Sequence, residues 1–181
     1  MNLRDRRMDA EWQFLEALKD ANTAAFASIT RLQDEFHISM RESPAWIDTG
    51  SERRVETEHT LRFVYPRYYP TLPLEGYFVR PIAHINVDAV TGFICLWKEY
   101  RTAQTIVDAI LIARAIMCWK AANRDSAHQM QHVELSELPM PSLTIPASCR
   151  TLLFHQSGRQ RLSSEFDNTE QESSLAFSNT E

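Results

Sequence analysis

The chain has 181 residues, 44% of them hydrophobic and 24% charged. That balance suits one domain with a sizeable core and excludes wholesale disorder, a collagen, a coiled coil, a disulfide scaffold and a porin. Nineteen basic against twenty-four acidic residues give a net charge of −5, and the whole excess lies in residues 162–181, where Glu165, Asp167, Glu170, Glu172 and Glu181 stand without a Lys or Arg. The remainder is neutral and has no basic stripe, which argues against nucleic acid as the principal partner, because phosphate binding needs clustered Lys and Arg to release counterions.

Cys95, Cys118 and Cys149 form no CxxC and leave one thiol over in any pairing, so a reducing compartment and no zinc site are expected. The basic opening Arg4-Asp5-Arg6-Arg7 is not followed by the apolar run of a secretory signal. The longest apolar stretch, Ile106 to Trp119, is 14 residues long and contains Asp108 and Arg114. A membrane span needs ~20 nearly uncharged residues. A cytoplasmic chain with no membrane partner is therefore expected.

From Asp9 to Phe36 there is neither Pro nor Gly, and apolar residues recur at helical spacing: Met8, Trp12, Leu15 and Leu18, then Phe26, Ile29, Leu32 and Phe36. The pattern predicts one long helix or two, with Asn22 or Thr23 as the cap of a second. Ser43-Pro44 and Asp48-Thr49-Gly50-Ser51 mark turns with short extended runs between and after them. Leu61, Phe63 and Tyr65 alternate with Arg62 and Val64, the period of a strand with one buried face. The three prolines of Tyr65-Pro66-Arg67-Tyr68-Tyr69-Pro70-Thr71-Leu72-Pro73 forbid helix and interior strand, so this segment is a stiff connection.

Gly76-Tyr77-Phe78-Val79 reads as another strand, and residues 84–96 as irregular chain carrying a short β element. Thr105-Ile106-Val107-Asp108 opens the apolar helix as a capping box, and that helix is expected to run to about Ala121. Asn123 or Asp125 then starts a helical piece bearing His128 and His132. Beyond Leu138, Pro139, Pro141 and Pro146 break regularity, and the polar end from residue 156 has too little apolar content to offset the entropy of ordering it. The expected organisation is α+β: a domain over residues 1–155 and an acidic, disordered tail over 156–181.

Among chemically able side chains, Cys95 lies in Gly92-Phe93-Ile94-Cys95-Leu96-Trp97, where flanking Ile and Leu would suit a small buried hydrophobe. Cys118 lies inside the apolar helix and Cys149 in a loop. His128 and His132 stand at i and i+4, a metal-site spacing, but no third ligand accompanies them, and Ser126, Gln129 and Gln131 favour an exposed polar helix face. His84, Asn86 and Cys95 are the residue types of a cysteine-protease site. All three nevertheless fall within 12 residues, whereas papain-like enzymes draw them from distant parts of the chain.

Taken in order, these segments resemble the ubiquitin-conjugating enzymes. The family's aromatic-Pro-x-x-Tyr-Pro-x-x-Pro run is matched by Tyr65-Pro66, Tyr69-Pro70 and Pro73; its His-Pro-Asn motif by His84-Ile85-Asn86; and its Gly-x-Ile-Cys-Leu by Gly92-Phe93-Ile94-Cys95-Leu96. Its Trp-Ser-Pro-Ala-x-Thr segment has a diverged counterpart in Tyr100 to Thr105. Ile85 replaces the motif proline, one extra residue separates Asn86 from Cys95, and the segment from Cys95 to Thr105 is about three residues short of the family's.

The resemblance implies a UBC-like fold with an N-terminal helix (or two), a small antiparallel meander, an active-site segment and a C-terminal core helix. It implies that Cys95 accepts the C-terminus of a ubiquitin-like modifier from an activating enzyme as a thioester, without a cofactor, and passes it to an amine of a target protein. Asn86 would stabilise the oxyanion of the transfer step, and His84 would complete the site chiefly by holding the loop. The compact, diverged form resembles the stand-alone bacterial members that accompany antiviral conjugation systems. The alternatives are a catalytically silent binding module of the same fold and a thiol hydrolase using Cys95 and His84.

Overall fold

The structure, a computed structural model, describes residues 2–125, 128–131 and 143–154. It is α+β. Helix α1 (Leu3–Ala21) leads into strands β1 (Phe26–Leu32), β2 (Glu35–Met40), β3 (Ala45–Asp48), β4 (Arg53–Glu56), β5 (His59–Val64), β6 (Glu75–Phe78) and β7 (Phe93–Ile94). Helix α2 (Ile106–Met117) and the short α3 (Ala147–Arg150) follow. An antiparallel sheet runs in the order β1-β2-β5-β6-β7, and β3 and β4 form a separate hairpin inserted between β2 and β5. The acidic tail over 156–181 and His132 lie outside the described residues.

The N-terminal region differs from the expectation of a long or doubled helix. Only its first half is helical: Asn2 caps α1 by accepting from the Asp5 amide at 2.9 Å, and Met8, Glu11, Leu15 and Leu18 form its buried stripe. Asn22 does not start a second helix but ends the first, its Nδ2 donating to Leu18 O at 2.7 Å. Phe26 to Met40 is a β-hairpin turning at Gln33-Asp34, with Gln33 at φ 52°. The spacing of Phe26, Ile29, Leu32 and Phe36 mimics a helical stripe, but Leu32 is exposed while Phe36, Ile38 and Met40 alternate inward, so the strand period wins.

Pairing puts Phe36 opposite Phe63, Ile38 opposite Leu61, Leu61 opposite Phe78 and Gly76 opposite Ile94, which aligns one apolar face across four strands. Met8, Leu15 and Leu18 of α1 and Ile106, Ile110, Ala113 and Met117 of α2 join that face in a single hydrophobic cluster. Each fully buried large side chain there contributes about 2 kcal/mol. Helix α2 starts where the capping box predicts, with the Thr105 amide donating to Asp108 Oδ2 at 2.6 Å. It stops at Met117, short of Ala121, in a Schellman closure: Trp119 takes φ 57°, its amide donates to Ile116 O at 3.0 Å, and the Lys120 amide donates to Ala115 O at 2.8 Å. Beyond it, residues 121–125 are irregular, and of the helical piece expected from Asn123 or Asp125 the described residues show a 3-10 turn at His128, whose amide donates to Asp125 O at 2.8 Å.

Charge is buried at one point of this frame. Glu11, 6% exposed, accepts from Arg7 Nε at 2.9 Å, from Tyr65 Oη at 2.9 Å, from Tyr69 Oη, and from the Ile106 amide at 3.0 Å. Arg7 in turn donates to Thr102 O and Gln104 O at 2.5 and 2.6 Å. Burial, and then the Glu11 charge, push both phenols well above the ordinary tyrosine range, so they remain donors. Replacing Glu11 by Ala removes the common acceptor, leaves the half-buried Arg7 without its counter-charge and strands two buried hydroxyls. It should lower stability by about 3 kcal/mol in urea denaturation, whereas a loss under ~1 kcal/mol would mean that water substitutes for the carboxylate.

Candidate functional site

The segment from Val87 to Ile94 is a tight loop closed on itself. The Asp88 amide donates to Phe93 O at 2.8 Å, and the Gly92 amide donates to Asp88 O at 2.9 Å. Asp88 Oδ1 accepts from the Val90 and Thr91 amides and from the Thr91 hydroxyl, bonds that hold its carboxyl below the usual range and commit it to the turn. Gly92 has φ +73°, and a Cβ there would come within 2.0 Å of Phe78 O, so only glycine lets the loop lie against the end of β6. The loop delivers Phe93–Ile94 to the sheet edge, and Cys95 follows immediately.

Cys95 is a half-buried free thiol whose amide donates to Asn86 O at 2.9 Å. Burial pushes its pKa up. It lies on a groove of about 290 Å³ between the proline-bearing connection and the sheet edge, lined by Pro66, Leu72, Leu74, Phe93 and Trp97 among others, with Glu75 as its one charged side chain. Trp97 is fixed there by donating Nε1–H to Leu74 O at 3.2 Å. Cys118 and Cys149 are buried.

Asn86 is 1% exposed and fully engaged. Its Nδ2 donates to Asn123 O at 2.8 Å and to His128 O at 3.1 Å, and its Oδ1 accepts from the Asn123 amide at 2.7 Å. The side chain thus clasps the chain that returns after α2. The same strip is fastened by the Met130 amide on Ile85 O at 2.7 Å and by Gln131 Nε2 on Ile82 O at 3.0 Å. Ile85, standing at the motif proline's position, is buried.

His84 is 0% exposed, packs its ring against Trp119 with centroids 4.3 Å apart, and accepts the Asn86 amide on Nδ1 at 3.1 Å. Desolvation lowers its pKa to about 4, so it is neutral at physiological pH. Its Nδ1 is committed to the loop rather than turned to the thiol. The imidazole that does meet the thiol is His128, with Nδ1 3.2 Å from Cys95 Sγ. The sequence reading had placed His128 on an exposed polar helix. Instead it is half-buried in a 3-10 turn, its amide donating to Asp125 O at 2.8 Å, and is brought back by the Asn86 clasp, a return that no local pattern announces. Among the described residues, no group of three or more His, Cys, Asp or Glu could hold a metal ion, and no helix is long and apolar enough to cross a membrane.

No family model matches the chain, and no curated protein is similar to it in sequence. Solved structures similar to it are ubiquitin-conjugating enzymes. One from Trypanosoma cruzi has 16% identity and a TM-score of 0.48, covering 67% of this chain and 80% of that one. The ubiquitin-conjugating enzyme Pex4p of H. polymorpha, solved in complex with the soluble domain of Pex22p, has 17% identity and a TM-score of 0.49, covering 70% and 84%. One from Plasmodium yoelii has 25% identity and a TM-score of 0.45, covering 61% and 71%.

Because the folded chain resists protonating His84, the unfolded chain binds that proton first as the pH falls. The stability is complete above pH 6.5 and is lost progressively from there to about pH 4. His59 is shifted in the same direction, again by burial. Urea titrations should find the protein ~2 kcal/mol less stable at pH 5 than at pH 7, and His84→Gln should flatten that slope. An unchanged slope in the variant would mean that His84 is not the group titrating.

Proposed function

We propose that this protein is a conjugating enzyme for a ubiquitin-like modifier, with Cys95 as the residue that carries the modifier as a thioester. The observation that supports this most directly is the position of Cys95: a half-buried thiol at the sheet edge, on an apolar groove open along one side. An extended chain terminus could lie in such a groove. The ordered motif series from Tyr65 to Thr105 supports the same reading. Its compact, diverged form favours a bacterial antiviral conjugation system, with an activating enzyme, a modifier and a target protein as partners.

Exchange between two thioesters is nearly balanced in energy, so the acceptor needs access and a nucleophilic sulfur more than a strong driving group. In the second step a target amine attacks the carbonyl, and negative charge gathers on one oxygen. Asn86 serves this site as the brace of the loop. Loss of a comparable oxyanion donor in other acyl-transfer enzymes raises the barrier by ~3 kcal/mol, but to act as one here Asn86 would have to release Asn123 O or His128 O. A thiol hydrolase is the second reading, favoured by the imidazole beside the sulfur; turnover of a small thioester without any partner protein would select it.

The protein, mixed with its activating enzyme, ATP and modifier, should form a reductant-sensitive adduct that is absent from Cys95→Ala and becomes reductant-resistant in Cys95→Ser. An adduct persisting in Cys95→Ala would refute Cys95 as the carrier. Once charged, Asn86→Ala should discharge onto free lysine more slowly than the wild type. Equal rates would leave Asn86 no part in the transfer step.

A further inference from the structure

We infer that His128 is a catalytic proton carrier for Cys95 and that Asn86 is the residue that positions it. The inference deepens the conjugation reading and rests on it for the identity of the acyl group; the thiol–imidazole pair itself rests on geometry. Sγ and Nδ1 are 3.2 Å apart, within hydrogen-bonding reach, the geometry in which Nδ1 can take the thiol proton.

Both partners are mounted on one residue. The Asn86 carbonyl takes the Cys95 amide at 2.9 Å, while its side-chain amide takes the His128 carbonyl at 3.1 Å. Sulfur and imidazole are therefore held to the same peptide from two directions, although 33 residues separate them in sequence. The Met130–Ile85 and Gln131–Ile82 bonds prevent the strip that carries His128 from sliding. A histidine on a free surface loop would have none of these four ties.

The other titratable groups on the packed segments leave this work undone. His84 is buried and bonded to the Asn86 amide, Asp88 is committed to its own turn, and Glu75 across the groove accepts from Tyr77 Oη at 2.6 Å. Lys98 and Glu99 follow Cys95 on exposed chain, and Arg124 and Asp125 are exposed ahead of His128. Burial pushes the thiol up, and none of these charges contributes to its shift, so the sulfur stays protonated near neutrality and an acceptor for that proton is required.

The step balances without an external reagent. Cys95 Sγ attacks the carbonyl carbon of the incoming thioester as its S–H proton passes to His128 Nδ1, giving a tetrahedral intermediate and an imidazolium. The intermediate collapses by breaking the carbon–sulfur bond to the donor cysteine, and that departing thiolate takes the proton from Nδ1–H. One acyl group and one proton have changed places, and His128 ends neutral.

The test uses the full chain without any partner. Iodoacetamide alkylation is followed at the Cys95 peptide by mass spectrometry, which separates it from Cys118 and Cys149, across ~pH 5.5 to 9.5. In the wild type, the rate should rise well below the ~8.5 at which an unassisted thiol ionises. In His128→Gln it should fall about tenfold at pH 7 and inflect only above ~8.5. In His128→Ala, added imidazole should restore it.

A wild-type profile whose only inflection lies at ~8.5 or above, as for an unassisted thiol, overturns the inference by itself, whether or not the variants fold. Superimposable wild-type and His128→Gln profiles overturn it as well. If the alkylation profile shifts but no thioester forms with the activating enzyme, the pair stands and the conjugation reading falls. If His128→Gln forms the thioester at the wild-type rate across the pH range, conjugation stands and the proton-carrying role of His128 falls.

Discussion

The buried Glu11 carboxylate is the interaction on which the arrangement turns. A lone carboxylate in an apolar interior would cost far more than a domain's net stability, and it survives only when charge and hydrogen bonds replace the water it has lost. Arg7 supplies the charge. Tyr65, Tyr69 and the first amide of α2 supply the remaining donors, and the amino end of a helix is already favourable ground for an anion. These donors come from the proline-bearing connection that follows β5 and from the start of α2, so one side chain of α1 fixes two segments that lie far apart in the sequence. Tyr65 and Tyr69 of the Pro-rich run thereby have a physical purpose: their hydroxyls face inward as the solvation shell of Glu11, whereas Tyr68 is exposed, and the prolines stiffen the chain between them.

The thiol depends on a second fixed point. Gly92 allows the loop to close on β6, and the loop sets Cys95 beside Asn86. Asn86 and Asn22 do the same job at opposite ends of the molecule. Each clasps the amide and carbonyl of a single distant residue, Asn123 in one case and Leu153 in the other, as a β-ladder partner would. A side-chain carboxamide is the one group that can present donor and acceptor together in that geometry. Among the described residues, the chain at Asn123 and at Leu153 is fastened in this way without any sheet to join.

What could be read from the sequence follows from how local each signal is. Strand β5 was legible in the alternation of Leu61 and Phe63, and the start of α2 in Thr105 and Asp108, because both signals span only a few residues. The β1–β2 hairpin was not, since Phe26, Ile29, Leu32 and Phe36 satisfy helical spacing and the turn at Gln33-Asp34 carries no glycine. The end of α2 escaped for a related reason: Trp119 takes the left-handed position that glycine usually marks. Cys95, Asn86 and His84 were picked out by their order along the chain. His128 was not assigned to them, because its place depends on a clasp made by a side chain 42 residues away, and its spacing to His132 suggested an exposed helix face rather than the half-buried 3-10 turn it occupies.

Helix α2 is held at both ends, at Ile106 by Glu11 and just beyond its close by Asn86 acting on Asn123. It therefore serves as a ruler between the frame and the site. Its 12 residues set a span of roughly 18 Å and a fixed angular phase. One residue more or fewer would swing the departing chain by about 100° and displace it by ~1.5 Å, enough to carry the strip that holds His128 away from the sulfur and to turn the buried residues beyond the change, such as Met117, out of the core. The helix is accordingly far more tolerant of changes in its side chains than of changes in its length.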